Sequence, residues 1–192
     1  MSRQPEATMD DVPDADQIIQ DCLNLDHPKS FFLYAGAGSG KTHSLVEAVK
    51  ILKNRERQRL TFEVRQIAII TYTKAASEEI TRRLEHDPLV VVSTIHAFSW
   101  RMIQGFNDDI REWLRVKLTQ DIGELNEKLG KARGQNKTFL ANQASRDSKA
   151  RRLDSLDEIS TFIYSPTGDN RGRQALNHSE VIQMAAAFFQ LP

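Results

Sequence analysis

Residues 31–42 constrain the fold of this chain more than any other stretch, because an apolar run of strand length passes through a loop of small residues into a helical pattern. The order strand, loop, helix is the one that a phosphate-binding loop needs. Gly36, Gly38 and Gly40 lack a Cβ atom, so the backbone N–H groups of the loop can approach a phosphate closely. The helix that follows points its positive end at the same anion. The stretch therefore predicts a site for nucleotide phosphates.

Two side chains at the end of this loop have specific roles in nucleotide chemistry. Lys41 stands where it would reach the β- and γ-phosphates, and the Thr42 hydroxyl stands where it would hold a Mg²⁺ ion. Ala35 occupies the position of the usual first glycine, which is a change between two small residues. The alternative is a chance glycine-rich turn. The strand pattern before the loop and the helical pattern after it argue against that alternative.

Two more strand–loop–helix units follow within the first hundred residues. Strands are predicted over 66–72 and 89–93, after the first strand at 31–34, and each leads into a turn and a helix. The nearly continuous apolar run at 67–70 suits a strand that is buried on both faces of a parallel sheet. Three such units predict an α/β parallel sheet whose functional loops lie at the carboxyl ends of the strands.

A short helix is predicted over 14–25, before the phosphate-binding loop, from apolar residues at helical spacing. Gln17 or Gln20 on this helix can reach an adenine edge, because a side-chain amide offers both a donor and an acceptor. Two ordinary surface glutamines are the alternative.

The composition excludes several classes of protein. No stretch of 18 apolar residues and no basic-then-apolar leader is found, so we predict no membrane partner and a cytoplasmic location. The single cysteine, Cys22, excludes an internal disulfide and fits a reducing compartment. The five histidines are scattered without metal-ligand spacing, so no zinc site is predicted.

A net charge of zero hides a strong asymmetry along the chain. Residues 1–26 carry one arginine against seven acids, and residues 130–152 carry seven basic residues against one acid. We expect the acidic end, up to about residue 14, to be a disordered lead-in. The basic segment 130–152 is a candidate nucleic-acid surface, because clustered cations displace counterions from phosphates. A solvated helix face is the alternative.

The second half of the chain has a mainly helical pattern. An amphipathic helix is predicted over 108–129, with a possible break near Gly123. Asn177 with Glu180 resembles a capping box for a final helix that runs to about residue 190. Weaker expectations are a polar, poorly patterned stretch at 130–152, a short helical turn within 153–159, a strand at 161–164 and a turn at 166–170.

Three motifs carry a family resemblance. Residues 35–42, Ala-Gly-Ala-Gly-Ser-Gly-Lys-Thr, resemble the Walker A motif of UvrD/Rep-type superfamily 1 DNA helicases. Residues 71–76, Thr-Tyr-Thr-Lys-Ala-Ala, resemble the next motif of that family, which is usually Thr-Phe-Thr-Asn-Lys-Ala-Ala. Residues 94–98, Thr-Ile-His-Ala-Phe, are similar to its Thr-Phe-His motif. The motifs occur in family order, and the resemblance covers roughly residues 15–105.

The resemblance implies a fold and a division of the chain. The implied fold is an incomplete P-loop NTPase (RecA-like) parallel sheet with a mainly helical inserted subdomain. Residues 15–106 would form the motor subdomain called 1A, and residues 107–192 would form a 1B-like subdomain. The implied activity is ATP hydrolysis coupled to DNA translocation and unwinding in the complete protein.

The resemblance also implies ligands and site residues. ATP and Mg²⁺ are the expected cofactors, with Lys41 as the catalytic residue and Thr42 as the metal ligand. The expected partners are single-stranded or partly duplex DNA and the remaining helicase domains or a partner protein. Lys74 and Ala75 depart from the family pattern, so no DNA contact is assigned to them. Nucleotide binding is assigned to Gln17, Gln20, Ala35, Gly36, Ala37, Gly38, Ser39, Gly40, Lys41, Thr42 and His43, and DNA binding to Tyr72, Thr73, Thr94 and His96.

Hydrolysis needs groups that the sequence does not supply in recognisable form. A P-loop enzyme holds Mg²⁺ with an acid that follows an apolar strand, and no predicted strand here is followed by such an Asp-Glu pair. No arginine can be assigned as a finger, and a second motor domain is absent from these 192 residues. We therefore expect the N-terminal part of a helicase motor, which alone binds nucleotide weakly and does not unwind DNA.

Two alternatives remain open from the sequence. One is another P-loop enzyme, such as a kinase or a nuclease-associated ATPase, that uses Lys41 on a different substrate. The other is a non-enzymatic interaction module in which the loop is a remnant and the basic segment binds a partner. For Tyr72 and His96, ordinary packing at a strand end is the alternative to DNA binding.

Overall fold

Two apolar runs of the first hundred residues form a small parallel sheet, and helices make up most of the rest. The computed structural model describes residues 15–34, 36, 40–132 and 134–190. In this part of the chain the sheet consists of two paired strands, β1 (Ile67–Thr71) and β2 (Val90–Thr94). The helices are α1 (Ala15–Cys22), α2 (Lys41–Phe62), α3 (Lys74–Arg83), α4 (Ile95–Ile103), α5 (Asn107–Gly130), α6 (Lys137–Asp154) and α7 (His178–Phe188), with a 3₁₀ turn at Leu156–Glu158.

The chain divides into two compact units, Met1–Ser93 and Thr94–Pro192. Each unit has its own hydrophobic core. We describe them separately as unit 1 and unit 2. The functional boundary that we predict near residue 106 stays a prediction.

The core of unit 1 lies between the sheet and the two helices that flank it in sequence. Val46 and Val49 of α2 pack with Ile69 of β1 and with Ile80 and Leu84 from the α3 region. Burial alternates along β1, because Ile69 is buried and its neighbours in the strand, 68 and 70, are exposed. The prediction that this strand is buried on both faces is therefore wrong for the described part of unit 1. The helices cover one face, and no described segment of the unit covers the other.

Residues 31–34 do not form the strand that their composition predicts. Phe32 and Tyr34 are 88% and 89% exposed, and Phe31 and Leu33 are exposed as well. A strand forms only where a neighbour satisfies its backbone N–H and C=O groups. Strands β1 and β2 pair with each other, and no described residue forms a ladder with 31–34. High β-propensity is therefore not enough to form a strand here.

Unit 2 is built on an α5–α6 helix pair together with α4 and α7. Helix α5 continues through Gly123 without the possible break. A single glycine inside a helix costs only about 1 kcal/mol, and buried side chains hold the first half of α5 in place. The buried core of the unit comprises Ile103, Ile110, Leu114, Leu118, Leu156, Ile159, Phe162, Tyr164, Leu176, Val181 and Met184.

Two expectations for unit 2 need correction. The polar stretch 130–152 contains a full helix, α6, which has no fully buried residue and therefore shows no clear apolar stripe in the sequence. The predicted strand at 161–164 is absent from the described structure, and only an isolated bridge joins Ile163 to Ala175. Phe162 and Tyr164 are buried in the core, which explains the alternating pattern.

The start of α7 is fixed by the predicted capping box. The Asn177 side chain accepts a hydrogen bond from the Glu180 backbone N–H at 2.9 Å, and the Glu180 carboxylate accepts one from the Asn177 N–H at 2.9 Å. Each bond satisfies an N–H group that the helix itself leaves unpaired. The prediction from these two residues is confirmed.

Candidate functional site

The end of the predicted phosphate-binding loop leads directly into α2. Gly40 precedes the helix with φ = 82°, a left-handed conformation that favours glycine. The Lys41 ammonium group donates a hydrogen bond back to the Gly36 carbonyl oxygen. Thr42 and His43 are exposed on the first turn of the helix. Four of the predicted nucleotide-binding residues, Ala35, Ala37, Gly38 and Ser39, lie outside the described residues.

A cavity of about 180 Å³ lies between α1 and α2, a short distance along α2 from Lys41. Gln20 donates from Nε2 to the carbonyl oxygen of Ala48 at 3.4 Å, and its Oε1 is buried with no hydrogen-bond partner among the described residues. The other predicted glutamine, Gln17, donates to Asp21 at the exposed surface of its own helix. Both line the cavity, but only Gln20 is directed onto α2. The lining residues are Asp16, Gln17, Gln20, Ser44, Glu47, Ala48 and Ile51.

The second motif begins where β1 ends. Tyr72 is 93% exposed, so its ring does not pack at the strand end in unit 1. The Thr73 hydroxyl caps α3 by accepting a hydrogen bond from the Ala76 N–H at 3.2 Å. An accepting hydroxyl keeps its own proton, so Thr73 can still donate to another oxygen. Lys74, which departs from the family pattern, lies 3.6 Å from the carboxylate of Glu78.

The third motif repeats this arrangement at the start of unit 2. The Thr94 hydroxyl caps α4 by accepting from the Ala97 N–H at 3.3 Å. His96 is the second residue of the helix and is half-buried. The ring of His96 contacts another side chain, whereas the ring of Tyr72 is almost fully exposed. The His96 ring lies edge-on to the ring of His178, with a centroid separation of 5.0 Å and an interplanar angle of 69°.

Two residues that the sequence reasoning missed, His178 and Tyr164, form a cluster with His96 in unit 2. The Tyr164 hydroxyl is hydrogen-bonded to Nδ1 of His178, and the two rings meet edge-on at 5.4 Å. Tyr164 also packs against Trp100 of α4, at a centroid distance of 5.9 Å. Burial raises the pKa of Tyr164 above its ordinary value. The only sequence signal for this cluster is the Asn177 cap, which places His178 in the first turn of a helix.

The basic segment 130–152 is less positive in the structure than in the sequence. Most of its described cations lie in ion pairs: Lys149 lies 2.7 Å from Asp121 of α5, and Arg152 lies 2.6 Å from Glu180 of α7. Among its described residues, Lys137 and Arg151 form no ion pair. The packing of α6 against acidic residues of other helices therefore absorbs charge that the sequence alone assigns to a surface. The other pairs are Lys131 with Glu127 and Arg146 with Asp147.

Comparison with known families decides among the readings of these motifs. The family profile described as the UvrD/REP helicase N-terminal domain matches residues 17–188. The chain belongs to the UvrD/REP helicase family. The match runs through both units and confirms the resemblance read from the three motifs.

This UvrD/REP-family chain also matches a curated relative. It is 37% identical over 115 residues to the Gabija protein GajB of Bacillus cereus (strain HuB5-5). The alignment covers 59% of this chain but only 17% of that protein, so the chain spans about a sixth of its relative's length. No solved structure matches the chain. Among the described helices, none is long and apolar enough to cross a membrane.

Proposed function

We propose that this chain provides the ATP–Mg²⁺ site and part of the single-stranded DNA surface of a UvrD/REP-family helicase motor. The observation that carries the nucleotide part is the Gln20 amide, which holds a buried, unpaired oxygen beside the helix that begins at Lys41. Buried polar atoms in folded proteins are nearly always hydrogen-bonded, so an orphaned acceptor on a residue that lines a cavity favours a ligand donor. The exocyclic amino group of adenine is a donor of this kind.

The spacing along α2 fits a nucleotide bound along the helix. Ala48, which accepts from Gln20, follows Lys41 by seven residues, roughly 10 Å at 1.5 Å per residue. A base at Gln20 and phosphates at the start of the helix would therefore lie at opposite ends of one bound ATP. Lys41 would exchange its bond to Gly36 for the β- and γ-phosphates, and Thr42 would offer its hydroxyl to Mg²⁺. Bound Mg²⁺ supplies charge neutralisation at the phosphates.

The DNA part of the proposal rests on the two threonine-capped helices. The exposed Tyr72 ring can stack on a base of any sequence. Thr73 and Thr94 keep a hydroxyl proton to donate to phosphate or sugar, because each hydroxyl acts as an acceptor in its helix cap. In unit 2, His96 would add an imidazole contact to DNA.

Turnover needs more than these groups. The described strands β1 and β2 run into Thr71 and Thr94 rather than into an acid that could hold Mg²⁺. We therefore propose that this chain alone binds ATP and single-stranded DNA but does not unwind DNA. Translocation would be a property of a longer protein that adds the acid and the second motor domain.

A melting experiment tests the proposal. ATP–Mg²⁺ at a hundredfold its Kd should stabilise the chain by about 2.7 kcal/mol. Lys41→Ala should abolish the shift, and Lys137→Ala, which removes an unpaired lysine in unit 2, should keep it. The absence of any ATP-dependent shift, or an equal shift in Lys41→Ala, would refute the nucleotide site. ATP turnover that single-stranded DNA stimulates and Lys41→Ala abolishes would show instead that the chain already contains its catalytic acid.

A further inference from the structure

His96 is the one predicted DNA-binding residue whose side chain is held by other rings in the described structure. Its ring meets His178 edge-on, and His178 is hydrogen-bonded to the Tyr164 hydroxyl. We propose that His178 and Tyr164 are positioning residues, which hold the His96 imidazole in the orientation that contacts single-stranded DNA. The proposal rests on the proposed function, and it adds two residues that lie far from the motif in sequence.

His96 is half-buried in the first turn of α4, so part of the residue is packed and part stays accessible. The packed part includes the ring contact with His178 at 5.0 Å and 69°. Edge-to-face geometry is the favoured arrangement of two rings at this distance, so the contact selects one orientation of the imidazole.

His178 is held in position through both its backbone and its side chain. It is the first residue of α7, and the capping box of Asn177 and Glu180 anchors the backbone there. The hydrogen bond between the Tyr164 hydroxyl and Nδ1 of His178 then fixes the orientation of the imidazole ring. Glu180 is held in turn by Arg152, whose guanidinium lies 2.6 Å from the carboxylate. His178 is therefore constrained through both its backbone and its ring.

The cluster also contacts α4 through Tyr164. Tyr164 is 8% exposed and packs on Trp100, one turn after His96 on the same helix. The chain of contacts thus runs from His96 to His178, to Tyr164, and back to α4 through Trp100. Both ends of this chain of contacts lie on α4, and the two inner rings, His178 and Tyr164, each have a ring neighbour on two sides, which restricts their rotation.

Such a cluster matters for binding because ordering a side chain costs free energy. An imidazole that is already oriented does not lose rotamer freedom when DNA arrives, so the contact with DNA is stronger. Loss of the cluster should therefore weaken DNA binding through His96. In the His96→Ala variant, which has no imidazole at position 96, loss of the cluster should have little effect on DNA binding.

A double-mutant cycle on single-stranded DNA binding tests this coupling. Fluorescence anisotropy with a labelled oligo-dT strand would be measured for the parent chain, His178→Ala and Tyr164→Phe, each with His96 and with His96→Ala. We expect His96→Ala to weaken binding about tenfold, in the range of a lost base contact. With His96 present, His178→Ala should weaken DNA binding about fivefold and Tyr164→Phe about twofold. In the His96→Ala background, each substitution should change DNA binding by less than about twofold, because the effects of coupled residues are not additive.

A matched variant separates positioning from general stability. Phe162→Leu alters the same buried core. Phe162 forms no ring contact with His96, His178 or Tyr164 in the described structure. The substitution should lower the melting temperature and leave DNA affinity unchanged below that temperature. Tyr164→Phe removes only a hydroxyl and keeps the ring, so it tests the cluster even if His178→Ala fails to fold.

The outcomes distinguish this inference from the proposed function. If His96→Ala weakens binding but Tyr164→Phe and folded His178→Ala do not, the positioning role is refuted and the DNA site stands. If the two substitutions weaken binding equally with and without His96, they act through the fold and not through the imidazole, and the inference also fails. If His96→Ala has no effect, the DNA role of His96 is refuted together with the inference.

Discussion

Gln20 reaches from α1 to α2 and donates from Nε2 to the carbonyl oxygen of Ala48 at 3.4 Å. This bond uses the amide nitrogen of Gln20. The other polar atom of the side chain, Oε1, is buried and has no hydrogen-bond partner among the described residues. Gln17, three residues earlier, makes only a local bond to Asp21. The two glutamines are equivalent in the sequence and different in the structure, which makes them a matched pair for experiment.

Gln20→Ala should weaken ATP binding about tenfold, because a recognition hydrogen bond lost from a buried position costs about 1–2 kcal/mol. Gln17→Ala should leave the affinity within about twofold of the parent, since an exposed local bond contributes little. Isothermal titration calorimetry with ATP–Mg²⁺ measures both. GTP in place of ATP is a second probe, because it lacks the exocyclic amino group at that edge. Equal effects of the two substitutions would contradict the assignment of Gln20 to the base.

Tyr72→Ala should weaken single-stranded DNA binding about tenfold, in the range that stacking on one aromatic ring contributes per base. The fold should be unaffected, because the side chain is 93% exposed. Phe62→Ala is the control, since Phe62 is 89% exposed in the same unit but lies at the end of α2, away from the motif. Anisotropy with an oligo-dT strand gives the affinities. A loss of the same size in Phe62→Ala would point to nonspecific apolar binding.

Asp87 should make the stability of unit 1 depend on pH in the acid range. Burial alone would raise its pKa, but hydrogen bonds from the Leu89 N–H, Arg57 and Lys53 outweigh burial and lower the pKa from 3.8 to about 2. A lowered pKa means that the folded state favours the carboxylate. The resulting stabilisation is present above about pH 4 and is lost as the pH falls towards 2, and it amounts to about 2 kcal/mol.

Urea unfolding at several pH values measures this effect. Asp87→Asn should remove the stabilisation at pH 7 and flatten the pH dependence between about 4 and 2. Asp26→Asn is the matched control, because the Asp26 carboxylate is 70% exposed in its pair with Arg59, and exposed pairs contribute little. A pH profile unchanged by Asp87→Asn would show that other carboxylates govern acid unfolding.

Glu180→Gln should destabilise unit 2 by about 2–3 kcal/mol, because it removes the negative charge of a largely buried ion pair and leaves Arg152 without a counter-charge. The Glu180 carboxylate is 12% exposed, lies 2.6 Å from Arg152 and accepts from the Asn177 N–H. Glu158→Gln is the control, since both Glu158 and its partner Arg173 are at least 70% exposed. Differential scanning calorimetry should show a lower melting temperature for Glu180→Gln only. Equal shifts would indicate that the buried pair contributes no more than the surface one.

Phe32→Ser should reduce self-association without lowering the melting temperature. Phe32 is 88% exposed within an apolar run that forms no strand, and Tyr34 nearby is 89% exposed. Contiguous exposed apolar side chains favour association. Sedimentation velocity over a concentration series measures it, with Phe62→Ser as an equally exposed control outside the run. A parent chain that stays monomeric at high concentration would contradict this prediction.

Much of the secondary structure was predictable because local signals agreed. The apolar runs at β1 and β2 and the helical patterns of α4 and α5 match the observed elements to within two residues. The cap of α7 was predictable from Asn177 and Glu180 alone, since a capping box depends only on residues three apart. The family was predictable from the order of three short motifs, and the family comparison confirms it.

Other features could not be predicted, because they depend on residues distant in the chain. Residues 31–34 have strand composition but no pairing partner among the described residues, and helix α6 packs without any fully buried residue. The charge of the basic segment was overestimated, since Asp121 and Glu180 come from other helices.

By itself, the sequence determined the helicase family and the positions of its three motifs, because these depend on residue types at short, fixed spacings. Only the tertiary structure distinguishes Gln20 from Gln17, and only it joins His96 to His178 and Tyr164. Those relationships join residues 14 to 82 positions apart, and nothing in the local pattern around either partner encodes the other. Burial and hydrogen bonding between distant segments determined them.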